Sequence, residues 1–245
     1  MNTTKQKTVV RATRVSRTSD GMSGYLRRIF AMMFGAVGLT ALASFVTMAT
    51  PLWSTLFTAT GLSGFYYVLT FGGLALSIWA QVRAFSMKPM TAGLLLGLYS
   101  ILVGIVMTPL LLIAITNNPF TILSAFVIAA LMFACMALFG YKTVKDLSFL
   151  GIFLFIGMIG LVLVGVASFI WPALLGGTAG TVFCLIGVLV FALFTAYDMQ
   201  SLKHAYAMGG TELQKNQLAV LGALHLYISF IAMFQYLLSL MNRNN

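Results

Sequence analysis

The chain has 245 residues, 60% hydrophobic and only 7% charged; four are acidic, and the formal net charge is +10. An ordinary soluble domain carries roughly 25% charged residues, and a chain this apolar could not hide its surface from water, which excludes a soluble enzyme or binding module. Nucleic-acid binding is excluded as well, because the basic residues sit in the amino-terminal tail and beside alternate loops, where attraction to anionic lipid headgroups accounts for them.

In chain order, a basic polar tail comes first, residues 1–28, followed by a single transmembrane domain, residues 29–245. A helix needs ~20 mostly apolar residues to cross a ~30 Å hydrocarbon core. In lipid every backbone N–H and C=O must be satisfied within the chain, and these runs lack the strict alternation of barrel strands. The pattern predicts an all-α membrane protein, a seven-transmembrane-helix bundle with spans at about 29–50, 64–84, 91–116, 120–140, 148–170, 175–198 and 218–240. Turn signals separate them: Pro51, Lys88–Pro89, Asn117–Asn118–Pro119, Trp171–Pro172 and Gly209–Gly210. The tight connection at Asn117 to Pro119 makes the third and fourth spans an antiparallel hairpin.

Charge fixes an orientation. Lys5, Lys7, Arg11, Arg14, Arg17, Arg27 and Arg28 precede the first span; Arg83 and Lys88 flank the second loop, Lys142 and Lys145 the fourth, Lys203 and Lys215 the sixth. The first, third and fifth loops hold no Lys or Arg. The positive-inside rule then puts the amino terminus and even-numbered loops in the cytoplasm. Arg243, beyond the last span, breaks the pattern and keeps a re-entrant last segment open. The first apolar run is too long for a signal-peptide core and is expected to act as an uncleaved signal-anchor. The tail also has the composition of a mitochondrial transit peptide, which makes an organelle membrane the alternative location.

Helices in lipid associate by close approach through small residues. Gly93, Gly97, Ser100 and Gly104 recur on one face of the third span, and Gly157, Gly160 and Gly165 are expected to act likewise in the fifth. Pro109 is expected to kink the third span. Trp53, Tyr66, Tyr67, Trp79 and Trp171 lie near span ends, as interfacial aromatics do. Cys135 and Cys184 fall in separate spans, as small packing residues without disulfide or metal spacing. No nucleotide loop, zincin pair or nucleophile–base arrangement is present, so no enzymatic activity and no cofactor is expected.

Ionisable groups inside spans are costly and mark ion or substrate pathways. Asp198 lies at the end of span six, Arg83 at the end of span two, and His225 about two turns into span seven, with Ser229 one turn further on the same face. Asp20, Asp146 and Glu212 lie outside the spans. The bland alternatives are a headgroup-level Asp198 paired with Lys203, a snorkelling Arg83, and a His225 hydrogen-bonded between helices.

Four stretches make the chain recognisable: residues 81–89 (Gln-Val-Arg-Ala-Phe-Ser-Met-Lys-Pro), 139–161 (Phe-Gly-Tyr-Lys-Thr-Val-Lys-Asp-Leu onward), 197–200 (Tyr-Asp-Met-Gln) and 222–234 (Gly-Ala-Leu-His-Leu-Tyr-Ile-Ser-Phe-Ile-Ala-Met-Phe). In this order and spacing they resemble the Bax inhibitor-1, or transmembrane Bax-inhibitor-motif, family, and specifically its bacterial members. The resemblance implies a seven-helix bundle with the last helix central and a bacterial cytoplasmic (inner) membrane location. Family members are described as pH-sensitive calcium leak channels, some regulating cell death or partnering membrane proteases. It therefore implies a cation leak channel, Ca²⁺ being a permeant ion, or alternatively a non-conducting regulator that binds a protease or other membrane protein.

The family gate is understood as two carboxylates on helices six and seven, latched by an arginine on helix two. Asp198 matches the first carboxylate and Arg83 the arginine, but Ser229 stands where the second carboxylate belongs. Two like charges a few Å apart drive one into a useful titration range, and a lone carboxylate lacks that device. It also leaves Asp198 as a weak Ca²⁺ contact, since Ca²⁺ prefers six to eight oxygen ligands. Counting ~1.5 Å per residue from Lys203 and Lys215, His225 lies nearer the level of Asp198 than Ser229 does. The expectation is an Asp198–His225 contact in place of the missing dyad, strengthened when the imidazole is protonated.

Overall fold

The computed structural model describes residues 2–58, 61–83, 87–209 and 211–243, with side chains described from residue 21 onward. Among these it forms α1 (Asn2–Ala49), a short α2 (Leu52–Thr55), α3 (Gly64–Arg83), α4 (Pro89–Asn117), α5 (Phe120–Lys142), α6 (Ser148–Ile170), α7 (Gly177–Ala207) and α8 (Glu212–Arg243). All but α2 are long and apolar enough to cross a membrane, so the seven expected spans are α1 and α3 to α8. The side chains of Lys5, Lys7, Arg11, Arg14, Arg17 and Asp20, the residues Ala84, Phe85 and Ser86 of the 81–89 stretch, and Gly210 lie outside the described residues.

Three boundaries move, each for a local reason. The helix of the first span already runs at Asn2, because nothing in the basic tail breaks it. The sixth span continues nine residues past Asp198 to Ala207, since Gln200, Lys203 and His204 lower hydropathy without interrupting hydrogen bonding. It stops at Gly209, whose φ of 79° is left-handed and suits glycine. The seventh span starts earlier, at Glu212, where Thr211 and Gln214 form a reciprocal capping box of 3.0 and 3.3 Å bonds. The first loop holds an unexpected two-stranded hairpin, Phe57–Thr58 against Gly61–Leu62, and Ser63 then caps α3 through its hydroxyl. The Asp146 carboxylate accepts from the Ser148 hydroxyl and backbone N–H at the start of α6. These bonds hold it below its ordinary range.

The bundle is inside-out relative to a soluble protein. Phe149, Ile152, Val82 and Leu94 stand exposed on the outside, while Thr40, Ser44, Ser100, Thr108, Thr195, Asp198, Gln200 and Ser229 are buried. Lipid is the solvent that makes this arrangement favourable. Helix α8 is the axis: Ala223, Leu226, Tyr227, Met233 and Leu238 are fully buried, and it packs on α1, α4, α5 and α7. Helices α3 and α6 form an outer layer, resting on α4 and α7 respectively. The far end of α8 is tied by Arg243, which donates to the Leu175 carbonyl in the α6–α7 turn at 2.8 Å. Near its start, Gln217 donates to the Met87 carbonyl at 2.8 Å. The last helix therefore runs the full length of the bundle, about 48 Å at 1.5 Å per residue, and does not re-enter.

Close helix contact uses some of the expected small residues and several unexpected ones. A methyl group at Gly104 would lie 2.5 Å from the Thr40 carbonyl, so α1 and α4 meet backbone to backbone. There Ser44 donates to the Gly104 carbonyl at 2.8 Å, and Thr40 bonds the Ser100 carbonyl at 3.1 Å and the Tyr227 hydroxyl at 2.6 Å. Gly140, not singled out from the sequence, lets α5 approach the Ala196 backbone of α7. Gly93, Gly160 and Gly165 instead face open space.

Candidate functional site

Asp198 is carried by α7, the helix most deeply buried after α8, and is only 8% exposed. A carboxylate at that depth is costly unless partnered. Both partners come from one face of α8, four residues apart. The Ser229 hydroxyl donates to Oδ2 at 3.4 Å, and His225 Nδ1 lies 3.7 Å from Oδ1. The expected Asp198–His225 contact is thus present, and Asp198 spans the levels of both residues rather than matching His225 alone.

The carboxylate forms part of the wall of a cavity of about 440 Å³. Gln81 of α3, Gly151 of α6 and Tyr197 of α7 share that wall with Asp198, His225 and Ser229. Helices α3 and α6 both contribute to this wall and also meet through aromatic rings. There Phe169 sits edge-on to Tyr67 and Phe71, with ring centroids 5.2 and 5.8 Å apart. Gln81 of α3 and Ser148 of α6 line the cavity together with Asp198. Gly151 permits this geometry: any side chain there would strike the Tyr197 ring at 2.8 Å.

Arg83 is not brought to Asp198. It is exposed at the last residue of α3 and makes no ion pair with that carboxylate. The reason is rotational: at ~100° per residue, Arg83 lies about 200° around α3 from Gln81, which faces the cavity. Lys203 does not pair with Asp198 either; its ammonium donates to the Tyr141 carbonyl at 3.0 Å, at the end of α5. Only Asp198, His225 and Ser229 of the four sequence-derived site residues therefore share one place.

Two glutamines escaped the sequence reading. Gln81 lines the cavity and donates to the Ser77 carbonyl at 3.2 Å. Gln200, two residues past Asp198 and buried, clamps the α5–α6 loop: its amide donates to the Lys145 carbonyl, and its oxygen accepts from Leu147 N–H, both at 2.8 Å. A long polar side chain inside an apolar run was the available signal for both. Among the described residues no cluster of three His, Cys, Asp or Glu side chains could hold a metal ion. A cation at Asp198 would keep much of its water.

A family model described as "Inhibitor of apoptosis-promoting Bax1" matches residues 22–245. The inner membrane protein YbhL of Escherichia coli is 34% identical over 224 residues, 89% of this chain and 91% of the relative. An uncharacterized protein of Caulobacter vibrioides is 36% identical over 187 residues, 75% of this chain and 72% of its own length. Another, from Rickettsia prowazekii, is 28% identical over 233 residues, 95% and 94% of the two chains.

Proposed function

We infer that the protein is a cation leak pathway, from one premise and one observation: the chain belongs to the Bax inhibitor-1 family, and it holds a carboxylate in its core beside a cavity. The pathway runs through the cavity lined by Gln81 of α3 and Gly151 of α6 to Asp198. Asp198 supplies the negative charge that attracts a cation, while Gln81, Tyr197 and Ser229 offer neutral oxygens along the wall. With a single carboxylate, Ca²⁺ passes partly hydrated and weakly held. His225 supplies pH modulation: once protonated it offsets Asp198 across 3.7 Å and lowers the attraction for cations. The proposal assigns no catalytic chemistry and no bound cofactor. It places the protein in the bacterial inner membrane, as its relative YbhL is described, with the amino terminus and the Lys142–Lys145 loop in the cytoplasm.

The deciding measurement is reconstitution into liposomes loaded with a calcium dye. Flux that Asp198→Ala reduces supports the channel; absence of flux between about pH 6 and 8, the range around imidazole titration, sinks it. The competing reading is a non-conducting regulator that binds a membrane protease or another membrane protein. The lone carboxylate favours it, and it is supported if the parent protein shows no flux above empty liposomes yet Asp198→Ala alters the activity of a co-reconstituted membrane protease.

A further inference from the structure

The side of the bundle formed by α1 and α5 carries a second feature, unrelated to ion conduction. The two helices meet through Phe30 and Phe133, whose rings lie 6.4 Å apart, and a groove of about 720 Å³ opens between them. Its walls are apolar, with Phe34 on α1 and Ala130, Ala134 and Leu138 on α5, and Phe230 of α8 also lines it. It continues into a further cavity of about 430 Å³ through the shared residues Phe126 and Phe230.

At the other end Arg27 belongs both to this groove and to a polar pocket of about 500 Å³, where α1, the end of α7 and the start of α8 converge. Arg28, Lys215 and Glu212 also line that pocket, so three cations face one carboxylate and two positive charges remain. Lys215 pairs with Glu212 at 2.9 Å and Arg28 bonds Asn216. Arg27 has no hydrogen-bond or ion-pair partner among the described residues. The Tyr25 hydroxyl, also on the pocket wall, is buried without a partner. A buried unpaired hydroxyl is costly, and two guanidiniums and a hydroxyl lining one pocket form a donor set suited to phosphate.

We propose that this polar pocket and the α1–α5 groove together bind one anionic glycerophospholipid, its phosphate at Arg27, Arg28 and Tyr25 and an acyl chain along Phe34, Ala134 and Leu138. Charge selects the headgroup, since the pocket has net positive charge. The groove selects a lipid over free phosphate, because seven residues of α1 from Arg27 to Phe34 give about 10 Å of apolar depth directly below the cations.

The test is lipid retention. The protein is reconstituted in equal parts phosphatidylglycerol and phosphatidylcholine, extracted in mild detergent, and its bound lipid weighed by native mass spectrometry. Phosphatidylglycerol should be enriched. Each interfacial cation contributes roughly fivefold, so Arg27→Gln should cut the enrichment about fivefold, and Arg27→Gln with Arg28→Gln about thirtyfold. Ala134→Phe, on an exposed position that fills the groove, should reduce both lipids. Equal retention of the two lipids by the parent protein, unchanged enrichment in Arg27→Gln, or undiminished lipid in Ala134→Phe would each overturn the assignment. The single Arg27 substitution removes no described bond, so it decides the matter even if the double variant folds poorly.

Discussion

Replacing His225 by alanine isolates the pH response. In the parent protein a neutral imidazole leaves the Asp198 charge uncompensated, and a protonated one offsets it across 3.7 Å. A unit charge ~4 Å from a carboxylate is worth ~1 kcal/mol in bulk water and ~4 kcal/mol at an effective dielectric constant of 20. Because His225 opens onto the cavity, the lower figure sets the floor: cation occupancy beside Asp198 should change at least about fivefold on protonation. Among the described residues, Asp198, His225 and the Tyr197 phenol are the titratable side chains lining the cavity, and imidazole is the type whose ordinary charge change falls near neutrality. Calcium-dye flux should therefore rise at least about fivefold from pH ~5.5 to ~7.5, bracketing ordinary imidazole titration. His225→Ala should carry the high-pH flux at every pH in that window. A His225→Ala protein that keeps the parent's pH dependence refutes the assignment of His225, whatever the conduction mechanism.

Gly140→Leu should push α5 off the Ala196 backbone, and an overpacking cost of ~1–3 kcal/mol corresponds to a melting point lower by about 3–10 °C. Gln200→Leu strands the Lys145 carbonyl and the Leu147 N–H; leaving buried groups unsatisfied costs ~1–3 kcal/mol, and hydrogen exchange should show the 143–148 loop opening first. Asp146→Asn removes a carboxylate held below its usual range. Its contribution is complete above the unfolded value of ~3.9 and disappears as pH falls through the lower folded value. The variant should therefore melt below the parent at neutral pH, and the two curves should converge in strong acid. Thr40→Val breaks the bond with Tyr227 and should lower the melting point by the equivalent of ~1 kcal/mol while leaving ion flux unaltered.

The seven spans were legible because membrane thickness imposes a length on each apolar run, and loops such as Asn117–Pro119 carry breakers. Helix ends within polar sequence were not. Gln200, Lys203 and His204 depress hydropathy, yet α7 runs on to Ala207 because nothing before Gly209 stops it. At the site, residue type pointed to Asp198 and His225, and spacing along α8 put His225 and Ser229 on one face. Whether Arg83 reached Asp198 depended on the rotation of α3, which the all-round apolar surface of a membrane helix leaves unmarked. The contacts of Gly140 and Gly151 were hidden for a related reason: a glycine's role depends on which backbone or ring opposes it, and that is a property of the assembled bundle.

Two polar clusters flank α8, and their contrast shows which side can conduct. The Thr40–Ser44–Ser100–Tyr227 network binds α1 to α4 with every hydroxyl engaged, at a backbone approach where Gly104 leaves no room for even a methyl group. Such a seam holds helices together and admits no ion. On the other side, among the described residues, Asp198 has only a long hydrogen bond and a longer imidazole contact, facing a cavity lined by two outer helices that meet at an aromatic cluster. Loosely satisfied charge next to open volume is where a small shift of α3 against α6 changes what reaches the carboxylate. Thinning the cluster with Phe169→Ala should therefore raise flux, while a mutation of the tight seam should cost only stability. If Phe169→Ala leaves flux at the parent level and Thr40→Val abolishes it, the pathway lies along α1 and α4 instead.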